Sequence, residues 1–192
     1  MHFLTDLECT KKTLLILGAG IDQTYPIIMA KEIGLRVLAA DSNPQAQGFA
    51  FGDEVATVSN RDVNALKKLC DESAKQGNPV QGILVMGTDI PDIAAELAIH
   101  LKIPGPSINT GKWATDKFLM KERLSKNGVA VPWYALVDNF ESLQYLMKKH
   151  EGDKFIIKPT DRSGARGVFV ISPNGEDIEA LYNESKKESN SG

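Results

Sequence analysis

The chain carries 192 residues, of which 42% are hydrophobic and 24% charged, a composition that folds as one ordinary core or as a core with a smaller lobe. Its formal net charge of -3 offers no general attraction to phosphate backbones or anionic membranes, so nucleic acid and membrane are excluded as expected partners and any phosphate recognition has to be local. Two cysteines, Cys9 and Cys70, support neither a disulfide framework nor a structural zinc site, and with no apolar window of bilayer length the cytoplasm is the expected location.

Residues 1–10 read as a tail without a leader pattern. Residues 13–17 form an apolar run closed by Gly18-Ala19-Gly20, residues 25–33 have helical spacing, and Gly34 supplies a stop. Buried runs at 36–40, 54–58 and 82–86 predict further strands. Residues 62–76 predict a helix capped by Asn60, with Val63, Leu66, Leu69 and Cys70 on its apolar face, and residues 91–100 predict another. Strands alternating with helices in this way imply an α/β fold with a Rossmann-like, parallel, doubly wound sheet, whose ligands bind at the carboxyl ends of the strands.

Pro104-Gly105-Pro106 marks the expected domain boundary, dividing residues 11–106 from 107–192. Beyond it, helices are predicted over 115–126, 140–150 and 176–188, and strands at 133–137, 155–158 and 168–171. The last two strands are close enough in sequence for an antiparallel hairpin, which makes this second part an α+β lobe.

Two glycine loops are candidates for ligand binding. The first, Gly18-Ala19-Gly20-Ile21-Asp22-Gln23, begins like a dinucleotide fingerprint, and Asp41 follows the second strand where a ribose-binding acid would lie. Gln23 stands in place of the third glycine, and Asp22 puts a negative charge where a pyrophosphate would sit. An NAD site is therefore disfavoured against a simple turn joining strand to helix. A third reading is a pocket for part of a small substrate, lined by Gly20, Asp22, Asp41 and Asn43.

In the second loop, an apolar strand delivers Lys158-Pro159, and Ser163, Gly164, Ala165, Arg166 and Gly167 follow within a few residues. A lysine at a strand end is a positioned charge for phosphate, and small residues let backbone N–H groups converge on its oxygens. The alternative is an ordinary hairpin turn with a solvated Lys and Arg.

Lys158-Pro159 and the loop 163–167, preceded by Ala114-Thr115-Asp116-Lys117 and by Gly128-Val129-Ala130-Val131-Pro132, resemble the first half of ATP-grasp ligases. That group includes biotin carboxylase, the large subunit of carbamoyl phosphate synthetase and related carboxylate-amine ligases. The resemblance spans nearly the whole chain: residues 11–106 are similar to the domain preceding the grasp, and 107–192 to the linker helix and first lobe. It implies that Lys117, Lys158 and the loop Ser163, Gly164, Ala165, Arg166, Gly167 contact ATP. It further implies a carboxylate activated as an acyl phosphate and attacked by an amine, with Mg2+ held by a second lobe absent from these residues, so that they bind ATP but are inactive alone. Arg162 and Ala165 depart from the family, which more often has small residues or glycine there. A noncatalytic nucleotide-binding module and an NAD-dependent oxidoreductase remain as alternatives, and a homodimer stays open. Trp113, Phe118 and Trp133 are read as packing residues, Asp116 as a first-turn carboxylate, and His150 as exposed.

Overall fold

The structure is a computed structural model that describes residues 11–150, 152, 154–175 and 177–189. The tail with Cys9, and Glu176 at the predicted start of the last helix, lie outside the described residues. Two compact units are present, Met1–Ile108 and Asn109–Gly192.

In the first unit, β1 (Thr13–Leu17), α1 (Ile21–Glu32), β2 (Arg36–Asp41), β3 (Glu54–Thr57), α2 (Val63–Lys75), β4 (Val80–Val85) and α3 (Pro91–Leu101) follow in order, with one 3-10 turn at Gln47–Ala50. The strands pair in the order β3-β2-β1-β4, all parallel. β1 and β2 are almost continuously apolar because helices cover both of their faces. Leu15, Leu17, Leu38 and Ala40 pack with Leu66 and Cys70 of α2 and Leu97 of α3, whereas Ile16, Val37 and Ala39 point the other way onto Ile27 and Ala30 of α1. This two-residue alternation makes the sheet doubly wound, and each fully buried Leu or Ile contributes roughly 1.5–3 kcal/mol of transfer free energy.

The first unit departs from the sequence reading in two places. Helix α1 begins at Ile21, four residues before the apolar periodicity starts, because extended Gly20 acts as its N-cap. Its first turn exposes Ile21 and Asp22 and buries the polar Gln23, so it shows no buried apolar positions that a periodic pattern could catch. The cap of α2 is Asp62 rather than Asn60: the Asp62 carboxylate accepts from the Ala65 N–H at 3.0 Å.

The second unit contains α4 (Ile108–Thr115, which opens at the boundary), α5 (Lys117–Lys126), α6 (Phe140–Lys149), β5 (Phe155–Ile157), β6 (Phe169–Ile171) and α7 (Ile178–Glu188). β5 and β6 pair antiparallel, with Ile156 opposite Val170. One face of this hairpin packs Ile171 against Leu143 and Met147 of α6 and Tyr182 of α7. The Tyr182 hydroxyl also donates to the Asp138 carbonyl at 3.2 Å. The helix expected over 115–126 is α5, which starts two residues later because Asp116 caps it, accepting from the Phe118 and Leu119 N–H groups at 2.8 and 2.9 Å; α4, which precedes it, was not expected from the sequence.

Residues 133–137 are not a strand. Over 131–137 the more covered positions, Val131, Tyr134 and Val137, recur every third residue rather than every second, so the segment has no face to lay on a sheet. Among the described residues no helix is long and apolar enough to cross a membrane.

Candidate functional site

At the carboxyl edge of the parallel sheet, Gly18 adopts φ +103, a left-handed conformation that turns β1 into α1 at little steric cost. Gln23, only 6% exposed, folds back over this loop and donates through Nε2 to the Met86 carbonyl at 2.7 Å, tying α1 to the end of β4. A Cβ built on Gly18 or Gly20 would meet the Gln23 side chain at 3.3 or 3.2 Å. The space that glycines open in a dinucleotide fingerprint is therefore filled from within the protein.

Asp41 is occupied too. Its Oδ2 accepts from the Ala19 N–H at 2.7 Å and its Oδ1 from the Asn43 N–H at 2.8 Å, while Asn43 Oδ1 accepts from the Gln45 N–H at 3.0 Å. These bonds gather Gly20, Asp41 and Asn43 at one edge of the sheet, with Asp22 exposed on the first turn of α1. At the neighbouring end of β4, Thr88 Oγ1 and Asp92 Oδ1 are buried with no hydrogen-bond partner among the described residues. Unsatisfied buried polar atoms are uncommon and call for a partner.

The second unit holds a cleft of about 860 Å³, lined by α5, the segment 132–138, α6, β5 and α7. That volume falls within the range of small-molecule sites. Phe155, Ile157, Leu143 and Met147 make part of its wall apolar, and Lys117, Lys121, Lys154, Lys158 and Lys186 bring cationic side chains to it.

Lys117 stands at the first position of α5. Its N–H donates to the Thr160 carbonyl at 2.8 Å, and its ammonium donates to the carbonyls of Thr160 and Arg162. Lys158 follows β5 directly and is exposed. Lys121, one turn along α5, rests 5.2 Å from the centroid of the Tyr134 ring; partial burial, and then the charge of Lys158, hold its ammonium below the usual lysine range. Tyr134 is fixed in turn by donating its hydroxyl to Glu122 at 2.7 Å, which pushes the phenol up and the carboxylate down.

Ser163, Gly164, Ala165 and Arg166 are exposed and Gly167 half-buried; none of the five lines the cleft. Ala165 has φ +56, a left-handed conformation that strains a side chain. Arg162, the other departure from the family, pairs with Glu188 of α7 at 3.8 Å. Trp133 is 51% exposed on the cleft wall and packs within the lobe, its ring centroid 4.0 Å from that of His150 and 6.3 Å from that of Phe155; His150, read as exposed, is half-buried against it. Lys121 and Tyr134 were missed in sequence, although Lys121 lies four residues from Lys117 and therefore on the same helical face.

No family profile matches the chain. It is 26% identical over 183 residues to the formate-dependent phosphoribosylglycinamide formyltransferase of Methanococcus maripaludis, covering 95% of this chain and 46% of that protein. With the same enzyme of Bordetella avium the identity is 24% over 184 residues, 93% of this chain and 43% of the relative. The likeness is to the amino-terminal part of ATP-grasp ligases. Solved structures share the fold: N5-carboxyaminoimidazole synthetase from Staphylococcus aureus complexed with ADP superposes with a TM-score of 0.72 at 18% identity, over 91% of this chain and 45% of that one. The L-amino acid ligase from Bacillus licheniformis gives 0.70 at 18% identity, over 92% and 41%. The chain thus spans less than half the length of the curated relatives it matches.

Proposed function

We propose that this chain supplies the ATP-binding wall of a carboxylate-amine ligase, in which ATP phosphorylates a carboxylate and an amine displaces the phosphate. The observation that carries the reading is the cleft of the second unit, where Lys117, Lys121 and Lys158 converge beside an apolar wall of suitable size for a nucleotide. Lys158 and its neighbours bind and neutralise the phosphates, and the apolar surface excludes water from the base and strengthens those charge interactions. The loop 163–167 sits beside this wall as a cover that would turn inward over a bound nucleotide.

The small carboxylate or amine is placed at the carboxyl edge of the parallel sheet, where Gly20, Asp22, Asp41 and Asn43 gather and where Thr88 and Asp92 offer buried polar atoms without partners. Magnesium chemistry, which bridges phosphate oxygens in phosphoryl transfer, is assigned to the intact ligase. Among the described residues no group of three or more His, Cys, Asp or Glu side chains is placed to hold a metal. The buried free thiol of Cys70 fits a reducing, cytoplasmic setting. An NAD-dependent role is disfavoured by Gln23, which fills the glycine loop.

The test is calorimetric titration of the 192-residue chain with ATP and with NADH, alongside an ADP-release assay. Saturable ATP binding without turnover is expected. Saturable NADH binding with none of ATP overturns the reading, and ATP turnover by these residues alone overturns the assignment of the metal to another part of the protein.

A further inference from the structure

Lys117 is the lysine that the family resemblance offers as a partner for Lys158, yet its ammonium is taken up by two carbonyls of the chain segment after β5. A lysine held by backbone carbonyls braces that segment, and its charge is partly compensated before any ligand arrives. Lys121 is in the opposite condition. It lines the same cleft, one helical turn away, with its ammonium over the Tyr134 ring, 5.2 Å from the centroid, and no carboxylate paired to it among the described residues. The acids close by are engaged elsewhere: Asp116 caps α5, and Glu122 accepts from Tyr134 at 2.7 Å and pairs with Lys126 at 3.1 Å.

We propose that Lys121, together with Lys158, forms the anion-binding pair of the cleft and contacts the polyphosphate of the bound nucleotide, while Lys117 acts mainly as a brace for the segment 160–162. The assignment rests on the nucleotide reading of this cleft. Two ammoniums that line one cleft repel each other, and partial burial first, then the charge of Lys158, hold the Lys121 ammonium below the usual lysine range. A polyanion placed between them removes the repulsion and makes charge-assisted hydrogen bonds to both. The Glu122–Tyr134 bond sets the ring over which Lys121 lies, so the lysine is positioned before the ligand arrives.

The experiment is titration of the full chain with ATP and, separately, with inorganic triphosphate. Lys121→Gln is compared with Lys148→Gln, which removes the same charge from an exposed site outside the cleft. Lys121→Gln is expected to weaken both ligands about tenfold, the size of one charge-assisted contact, with Lys121→Arg restoring most of the affinity. Lys148→Gln should change affinity less than about twofold, as expected for a distant screened charge. Lys121→Met, which removes the ammonium but keeps an unbranched apolar side chain beside Tyr134, replaces Lys121→Gln if far-UV circular dichroism shows the latter misfolded. If wild type binds ATP and Lys121→Gln matches Lys148→Gln, the pair is wrong and the nucleotide reading stands. If wild type binds neither ATP nor triphosphate, both fall together.

Discussion

Leu15, Ile16, Leu17, Leu38 and Leu66 in the first unit have no exposed surface, whereas the best-covered core residues of the second unit, Leu143, Met147, Ile171 and Tyr182, keep 3–7% of theirs. The outer face of the β5–β6 hairpin leaves Ile156 and Val170 66% and 63% exposed. The glycine loops follow the same division. In the first unit the loop is filled by Gln23 and braced by Asp41; in the second it is exposed, strained at Ala165, and set beside an open cleft. A well-packed sheet and a receptive nucleotide wall make opposite demands on side chains, because contacts that close a site to stabilise the fold also remove it as a site.

The comparison is most exposed to failure in the cores. Leu38→Ala should cost about 2–5 kcal/mol, because a cavity opens where helices pack on both sides of the sheet, while Leu143→Ala should cost less, since its neighbours can relax into the open cleft. Denaturant unfolding read by amide hydrogen exchange would check this, with amides of the first unit expected to be slower. Equal protection in both units would end the contrast. Next comes Lys158→Ala, expected to weaken ATP by about 1.5–3 kcal/mol, roughly tenfold or more, through loss of a charge-assisted contact. Calorimetry decides it, and unchanged affinity in a chain that otherwise binds would remove Lys158 from the site.

Gln23→Ala probes the filled loop. It should cost about 1 kcal/mol, the net value of the bond to the Met86 carbonyl, and should create no NAD site, since Asp22 and Asp41 keep their negative charge there. Micromolar NADH binding by this variant would mean that the side chain alone had been the obstacle. The smallest effect is expected from Ala165→Gly, which relieves a left-handed alanine and should raise the thermal stability of the second unit by at most about 1 kcal/mol. A loss of stability would show that the Ala165 methyl is held by contacts that outweigh its strain.

The first unit was legible because its signals are local and periodic. Apolar runs closed by glycine, and a helix face at Leu66 and Cys70, reproduce β1 and α2 within a residue or so of their ends. The small errors arose where one side chain chose among neighbours: Asp62 over Asn60 as the cap of α2, and Asp116 as the cap that starts α5 at Lys117 rather than Thr115. Residues 133–137 misled for a different reason. Their composition suits a strand, but a strand requires a partner edge, and pairing is a property of the assembled sheet.

The division of labour at the candidate site follows from the same physics. By itself the sequence determined the order of elements, the parallel sheet and the two glycine loops, since spacing and residue type act over a few neighbouring positions. Only the tertiary structure decided that Gln23 plugs the first loop, that the Lys117 ammonium turns to carbonyls more than forty residues away, with separations of 43 and 45, and that Lys121 is left facing the cleft beside Lys158. Those outcomes depend on which donors and charges the fold brings within a few ångströms of one another, and that proximity is fixed by packing between distant segments.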